Sequence, residues 1–232
     1  MMKISKRLKT LSNLVSKNSK VADIGTDHGF VPNFLVENNI SNYVICSDIS
    51  EESLQKSISL IESMGNEKHI KTRVGDGLSV LNKGEVDTVI IAGMGGQLIS
   101  KILKSEIELV KELDKIILQP MQGQELLRKF LYENGFNIVD ELIVYEDGSY
   151  FEIIVTKYDG IIRSVNKIFY EIPKILLDRK DPILKDFLTE KIKYNNSIID
   201  EIKDYKSEKV RDRVEELSKI NNRYKELLCT IK

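Results

Sequence analysis

The sequence predicts an α/β protein in which a Rossmann-like parallel sheet ends in an antiparallel hairpin and is followed by a helical domain. Three observations support this prediction. Short apolar runs alternate with helix-patterned stretches from residue 20 to residue 134. The strand-like segments 136–146 and 149–158 then flank Asp147-Gly148, a strong hairpin signal. After about residue 164 no strand pattern follows, and residues 183–232 contain neither Gly nor Pro.

The composition indicates a globular protein rather than a disordered or membrane-spanning one. The chain has 232 residues, of which 41% are hydrophobic and 31% charged, with a net charge of −1. No apolar run approaches the ~20 residues that a membrane span needs, and the basic N-terminus lacks the apolar core of a secretory signal. Cys46 and Cys229 lie far apart, so we expect reduced thiols. We therefore predict a cytoplasmic protein that is a monomer rather than an oligomer, without a membrane anchor or a metal site.

The elements are predicted from hydrophobic periodicity, in chain order. A short amphipathic helix covers residues 3–16, with basic side chains largely on its other faces. Strands follow at 20–25, 43–47, 70–74, 87–92 and 115–119. Helices fill the gaps at 31–38, 50–64, 96–104 and 123–134. Repeated β-α units of this kind imply a parallel sheet that is covered on both faces.

The loop after the first strand is the most informative stretch. Asp23, Gly25 and Gly29 form an Asp-x-Gly-x-x-x-Gly spacing. A nicotinamide fingerprint would need glycine where Asp27 and Phe30 stand, so a dehydrogenase is the least favoured class. The spacing instead resembles the first motif of S-adenosylmethionine-dependent methyltransferases. A simpler alternative is a strand-helix turn in which Asp27 only caps the helix.

Further candidate residues follow the other strands, at the sheet edge where open α/β sheets bind their ligands. Asp48 lies 23 residues after Gly25, close to the spacing of an acid that holds ribose hydroxyls. Asp76 stands between two glycines and could accept from an adenine amino group, and a glycine-rich turn is predicted at 92–96. Each has a simpler alternative: Asp48 as a helix cap, Asp76 as a turn residue, and Met94 as core filler. Since all of them follow consecutive strands, we favour a cofactor site.

Several longer stretches make the resemblance specific. They are Asp23–Pro32, Arg73–Leu78, Ile91–Gly96, Ile117–Pro120 and Glu146–Gly148. Together they resemble the bacterial tRNA (adenine-22-N1)-methyltransferase family from about residue 5 to 158. The resemblance implies a class I methyltransferase fold, S-adenosylmethionine as methyl donor, and an adenine in the D-arm region of tRNA as acceptor. Two positions depart from the family pattern: Ser47-Asp48 replaces Gly-Glu, and Met121 replaces Asn.

We predict roles for individual residues on this basis. Asp27 is the candidate catalytic group, because a carboxylate would stabilise the cationic ring that N1 methylation produces; helix capping and a bond to the methionine part of the donor remain alternatives. His28 is expected to contact base or phosphate, or to be satisfied inside the fold, and Phe30 is a candidate for stacking on the base. The predicted cofactor-binding residues are Asp23, Gly25, Thr26, Asp27, His28, Asp48, Ile49, Asp76, Gly77, Ala92, Gly93 and Met94. The predicted RNA-binding residues are Arg7, Arg211 and Arg213.

The domain division is predicted as 1–160, binding S-adenosylmethionine and carrying catalysis, and 161–232, an antiparallel coiled-coil domain. Two apolar seams with 4-3-4-3 spacing lie out of phase across Lys206-Ser207, which favours two helices folded back on each other. One long kinked helix is the alternative. Asn195 and Asn221 occupy seam positions in opposite helices, so we expect them in neighbouring layers, where they fix the register.

Two other functions remain open at the level of the sequence. One is a methyltransferase of the same fold that acts on ribosomal RNA, a protein or a metabolite. The other is a non-catalytic partner that binds S-adenosylmethionine, or no ligand, and uses its coil as an interaction arm.

Overall fold

The computed structural model describes residues 2–205 and 207–231, which form two compact units, Met1–Ile172 and Pro173–Lys232. The predicted boundary after residue 160 is therefore too early. Residues 161–172 bond to the first unit, because Arg163 N donates to Tyr132 O at 2.8 Å and Arg128 Nη1 donates to Tyr170 O at 3.4 Å. No strand or helix pattern marks this connection in the sequence.

The elements alternate as predicted up to the hairpin. The strands are β1 Lys20–Ile24, β2 Tyr43–Asp48, β3 Ile70–Val74, β4 Thr88–Gly95, β5 Lys115–Gln122, β6 Phe136–Glu146 and β7 Ser149–Tyr158. The helices of the first unit are α1 Lys6–Asn13, α2 Phe30–Glu37, α3 Glu51–Met64, α4 Gly96–Ser105, α5 Ile107–Val110, α6 Gln124–Glu133 and α7 Ile168–Glu171. A 3₁₀ turn, Gly77–Val80, follows β3.

The sheet is mixed, with the order β3-β2-β1-β4-β5-β7-β6. Strands β1 to β5 pair in parallel, and β7 is antiparallel to both β5 and β6. The predicted Rossmann-like sheet that ends in an antiparallel hairpin is confirmed. Its central strands are buried on both faces, as in Val89, Ile90 and Ile91 of β4, all 0% exposed.

Two strands are longer than predicted, and this changes the expected glycine-rich turn at 92–96. Strand β4 continues through that segment to Gly95 and β5 continues to Gln122, so the two remain paired, with register shifts at Met94. Helix α4 starts directly at Gly96. A Cβ at this position would lie 2.2 Å from the carbonyl oxygen of Gly123, so only glycine permits the close approach.

A buried ion cluster joins α6 to the hairpin. The Arg128 guanidinium donates from Nε to Glu141 of β6 at 2.8 Å and from Nη2 to Glu152 of β7 at 2.7 Å. All three residues are at most 2% exposed. Burial acts to lower the pKa of Arg128, but the two carboxylates outweigh it and raise that pKa. The cluster links helix α6 to both strands of the hairpin.

The second unit contains α8 Lys174–Asp178, α9 Pro182–Ile202 and α10 Glu208–Thr230. Helices α9 and α10 are separate and fold back on each other, so the single long helix is not observed. Asn195 Nδ2 donates to Asn221 Oδ1 at 2.8 Å, and Asn221 Nδ2 donates to Asn196 Oδ1 at 2.9 Å. The two seam asparagines therefore meet directly. Of the predicted phase break, Lys206 lies outside the described residues and Ser207 caps α10.

Candidate active site

A cleft of about 600 Å³ lies at the carboxyl ends of β1 to β4. All twelve residues predicted to bind the cofactor line it, and so does Arg7 of α1. The parallel sheet explains this convergence, because the ends of neighbouring parallel strands meet at one edge. The sequence predicts only that these residues follow strands. The parallel order of the strands then brings them together as the lining of one cleft.

Asp23 is the buried acid of the cleft. It lies in β1 and is 6% exposed, and burial raises the pKa of its carboxyl to about 6, against a bond from Thr26 that lowers it. The charge of Asp48 raises this pKa further. The pKa of the Cys46 thiol is also raised, to about 12, mainly because the thiol is buried and to a smaller extent because of the charge of Asp23. In the part of the chain that the structure describes, no basic side chain forms an ion pair with Asp23.

The loop after β1 turns sharply at Gly25, whose φ is +78°. A Cβ at this glycine would lie 2.1 Å from Met94 Cε, so the residue is required both for its backbone angle and for its space. Met94 thus packs on the loop from the end of β4. The amides of Gly25 and Thr26 both donate to Ser47 O, at 2.8 and 2.9 Å. These bonds fix the first half of the loop to β2.

The tip of the loop presents Asp27 and His28 to solvent. His28 Nδ1 lies 2.7 Å from Asp27 Oδ2, and Lys56 Nζ lies 3.7 Å from Asp27 Oδ1. The His28 ring stacks on Phe30 at a centroid distance of 5.4 Å. Helix α2 is capped by Gly29, not by Asp27, so the capping alternative for Asp27 is wrong. The alternative of a buried His28 is also wrong, since 45% of its side chain is exposed.

The second and third strands contribute acids with different surroundings. Asp48 Oδ1 accepts from Ser50 N at 2.8 Å, while Ser50 is the residue that caps α3. Ile49, between them, is 71% exposed and lines the cleft. After β3, Asp76 is exposed on the cleft wall and precedes Gly77, which starts the 3₁₀ turn. Both acids line the cleft.

Arg7 reaches the cleft from α1 and is half-buried. Its Nη1 donates to Gln119 Oε1 at 2.5 Å, and its guanidinium lies 5.2 Å from the centroid of the Phe151 ring. Its backbone amide faces the Glu146 carboxylate at 3.4 Å from each oxygen. Burial lowers the pKa of Arg7, and Glu146 opposes that effect. The guanidinium is thus engaged within the protein, which sequence reasoning about a basic helix did not anticipate.

Two neighbours of Arg7 carried no role in the sequence prediction. Gln119 follows the apolar run of β5 and is 0% exposed. Phe151 lies in β7, 144 residues from Arg7, where an aromatic residue fits ordinary strand alternation. Nothing local connects either residue with Arg7.

The other predicted RNA-binding residues, Arg211 and Arg213, lie on α10 of the second unit and are exposed. Arg213 Nη1 forms an ion pair with Glu216 at 2.7 Å. These residues are not part of the cleft wall.

The residues that line the cleft suit S-adenosylmethionine in their chemistry. A buried carboxyl at Asp23 suits a ligand with positive charges, and the acids at Asp48 and Asp76 suit hydroxyl and amino donors. Gly93 has open space where a side chain would stand, so backbone and ligand can approach closely there. Within residues 2–205 and 207–231, no group of three His, Cys, Asp or Glu side chains could hold a metal ion. Every helix within these residues is too short or too polar to span a bilayer.

Comparison with known proteins gives the family. The model of a methyltransferase domain matches residues 4–154. The tRNA (adenine(22)-N(1))-methyltransferase of Bacillus subtilis is 32% identical over 208 residues, which cover 87% of this chain and 86% of the relative.

Two solved structures resemble the whole chain. The crystal structure of the Bacillus subtilis N1-adenine-22 tRNA methyltransferase has a TM-score of 0.85 at 29% identity, covering 98% of this chain and 100% of that one. A Streptococcus pneumoniae protein assigned to the same activity, in complex with S-adenosyl-L-methionine, has a TM-score of 0.82 at 26% identity, covering 94% of this chain and all of that one. With the sequence match over most of both chains, these findings establish that the chain belongs to the tRNA (adenine(22)-N(1))-methyltransferase family.

Proposed function

We propose that this chain transfers the methyl group of S-adenosylmethionine to N1 of adenine 22 in the D-arm region of tRNA. The observation that carries the proposal is the single cleft that gathers the acids and glycines from the ends of four consecutive strands. Membership of the family supplies the substrate, and the cleft supplies a site of the required chemistry.

The residues of the cleft divide the binding of the donor between them. Asp23 holds negative charge beneath the loop, Asp48 accepts from ribose hydroxyls, and Asp76 accepts from the adenine amino group. The backbone at Gly93 and the side chain of Met94 form the part of the wall that lies at the end of β4. When bound, the donor supplies a methyl group on a positively charged sulfonium sulfur.

Adenine N1 lies on the Watson–Crick edge, so the base has to leave its stack or be unpaired before it enters the cleft. Its lone pair is available, and transfer therefore depends on alignment more than on a strong base. Asp27 is the candidate for stabilising the cationic ring that results, since it is exposed at the tip of the loop beside His28. Phe30, stacked on His28, is the candidate surface for the base.

The second unit is proposed to act as an antiparallel coiled-coil arm that follows the tRNA backbone. Arg211 and Arg213 of α10 are the candidates, together with Arg7 at the cleft. Each phosphate contact makes binding salt-dependent, so neutralising Arg211 and Arg213 should reduce the salt slope of tRNA affinity by up to about 2. Neutralising Lys193, which pairs with Glu190 on α9, gives a matched comparison within the same hairpin. We also propose that the chain is monomeric and works in the cytoplasm.

The experiment is transfer of labelled methyl to unmodified tRNA, compared with the same tRNA carrying guanine at position 22. Label that vanishes with the guanine substitution supports the proposal. Label that persists means another acceptor, and ribosomal RNA or protein substrates would then be compared. Cofactor binding without transfer to any of them would indicate a non-catalytic binding protein. The Asp27→Asn variant, on the wild-type tRNA, tests the role of this carboxylate.

A further inference from the structure

Three buried polar side chains lie directly behind the loop that presents Asp27 and His28. They are Asn33 of α2, Ser57 of α3, and Asn66, which follows the end of α3. Asn33 and Ser57 have no exposed surface, and Asn66 is 5% exposed. Polar groups are rarely buried to this degree without hydrogen bonds, so their partners indicate what they hold in place. We call these three residues the loop clamp.

The loop clamp bonds to the two carbonyl groups on either side of the Asp27-His28 tip. Ser57 Oγ donates to Thr26 O at 3.4 Å, and Asn33 Nδ2 donates to Gly29 O at 2.9 Å. Both bonds act from the side of the loop away from the cleft, since neither donor residue lines the cleft. The two ends of the tip are therefore fixed from behind.

Asn66 fixes the orientation of Asn33. Its Nδ2 donates to Asn33 Oδ1 at 2.8 Å, while the Nδ2 of Asn33 faces the Gly29 carbonyl. An amide offers a carbonyl acceptor on one side and two N–H donors on the other. Only one orientation of Asn33 satisfies both partners, so the amide cannot flip without losing both bonds.

Gly29 itself is packed against the clamp. Its φ is +68°, and a Cβ there would lie 3.2 Å from Ser57 Cβ and 3.5 Å from Asn33 Nδ2. The backbone of the loop thus lies in contact with two of the three clamp residues. By contrast, the amides of Gly25 and Thr26 bond to Ser47 O, which does not depend on the clamp.

We propose that Asn33, Ser57 and Asn66 are positioning residues that aim Asp27 and His28 for methyl transfer. This inference rests on the proposed function, because it assigns the clamp to the chemical step of that reaction. The loop has two supports: Ser47 holds the half that starts at Gly25, and the clamp holds the half that ends at Gly29. Loss of the clamp should therefore reduce the rate of transfer while leaving cofactor affinity nearly intact.

The test uses Asn33→Asp, which keeps the shape of the side chain but places an oxygen against the Gly29 carbonyl. Its matched control is Asn38→Asp, because Asn38 Nδ2 donates to Phe34 O at 2.8 Å, the same type of bond at the other end of α2. We expect kcat to fall by roughly tenfold or more in Asn33→Asp, since small misplacements of reacting groups are costly. The dissociation constant for S-adenosylhomocysteine should change by less than about threefold, and the control should match the wild type in both.

A spectroscopic readout separates positioning from general loss of structure. The chain has two histidines, so the imidazole NMR signals of His28 and His69 can be followed individually. The His28 signal should move in Asn33→Asp and stay in place in Asn38→Asp. If Asn33→Asp fails to fold, Ser57→Ala takes its place, with Ser59→Ala as its control because Ser59 Oγ bonds to Gln55 O at 2.9 Å within α3.

The outcomes are distinct. A lower kcat with preserved cofactor affinity and a shifted His28 signal supports the clamp. Parallel losses of kcat, affinity and melting temperature, or an unmoved His28 signal with full activity, overturn it. If the wild-type chain transfers no methyl to tRNA, the proposed function fails. The His28 signal then decides the clamp alone: a shift confined to the clamp variants supports it, and no shift overturns it.

Discussion

The first unit buries carboxyl groups in two places with opposite electrostatic surroundings. Glu141 and Glu152 share the guanidinium of Arg128, at 2.8 and 2.7 Å. Asp23 instead has the Thr26 hydroxyl and the charge of Asp48 as neighbours, and its pKa is raised to about 6. Glu141 and Glu152 have their counter-ion, Arg128, within the protein, which suits a structural role. Asp23 has no ion-pair partner within residues 2–205 and 207–231, and it lies at the edge of the sheet where ligands bind, which suits a cationic ligand.

The largest effect should come from breaking the structural centre. Arg128→Met leaves two buried carboxylates without their cation, and we expect the free energy of unfolding to fall by roughly 3–5 kcal/mol. Urea denaturation measures this change. The matched control adds Glu141→Leu and Glu152→Leu to the same chain, and it should recover most of the loss. An unchanged midpoint for Arg128→Met alone would mean that the cluster is not buried as described.

Asp23→Asn should act in the opposite direction on stability. A carboxyl whose pKa is raised on folding binds its proton in the native state while the unfolded state has lost it, so stability falls as pH rises from about 4 to about 6. The amide of the variant does not titrate, so it does not lose stability over this pH range. At pH 7.5 the free energy of unfolding of the variant should be higher than that of the wild type by roughly 1–3 kcal/mol.

The affinity of Asp23→Asn for S-adenosylmethionine should drop by about tenfold, because the negative charge beneath the loop is gone. Higher stability without weaker binding would contradict the assignment of Asp23 to the cofactor.

The same difference predicts a pH dependence of cofactor binding. The affinity of the wild-type chain should decline as pH falls through about 6, because Asp23 then takes up a proton. Asp23→Asn should not show this decline, because its amide does not titrate. The ratio of the wild-type affinity to the variant affinity should therefore approach one near pH 5. Calorimetric titration of S-adenosylhomocysteine from pH 5 to pH 8 measures it. A constant ratio across that range would assign the titration to another group of the cleft.

The smallest effect concerns the paired amides of Asn195 and Asn221 in the second unit, which carry no charge. Replacing both Asn195 and Asn221 with Leu should raise the melting temperature by a few degrees, because the pair holds register at some cost in stability. Asn222→Leu, at an exposed position of α10 beside Asn221, is the control. A lower melting temperature for the double variant would refute the arrangement.

The parts of the site that the sequence predicted have local signals. Asp23, Asp48 and Asp76 each follow or end a short apolar run, and a parallel sheet is enough to bring such positions to one edge. The hairpin strands β6 and β7 were predicted at their observed bounds because alternation and Asp147-Gly148 both lie within the segment.

The parts that escaped prediction depend on distant partners. The Arg7–Gln119 bond spans 112 positions, and the Asn66–Asn33 bond spans 33. Strand β4 extends past Ala92 because β5 pairs with it, and glycine-rich sequence does not indicate that pairing. Helices α5, α7 and α8 have four or five residues each, too few to show a period of 3.6.

The placement of β7 has a consequence for the growing chain. The last strand to be synthesised is inserted between β5 and β6, where Ile154 to Thr156 pair with Leu118 to Ile116. Until the ribosome has released residue 158, β5 remains an open edge that can recruit a strand from another nascent chain. Pairing of β7 therefore covers the edge of β5 during biosynthesis. Translation arrest or proteolysis before residue 158 would leave a fragment with this edge exposed and prone to self-association.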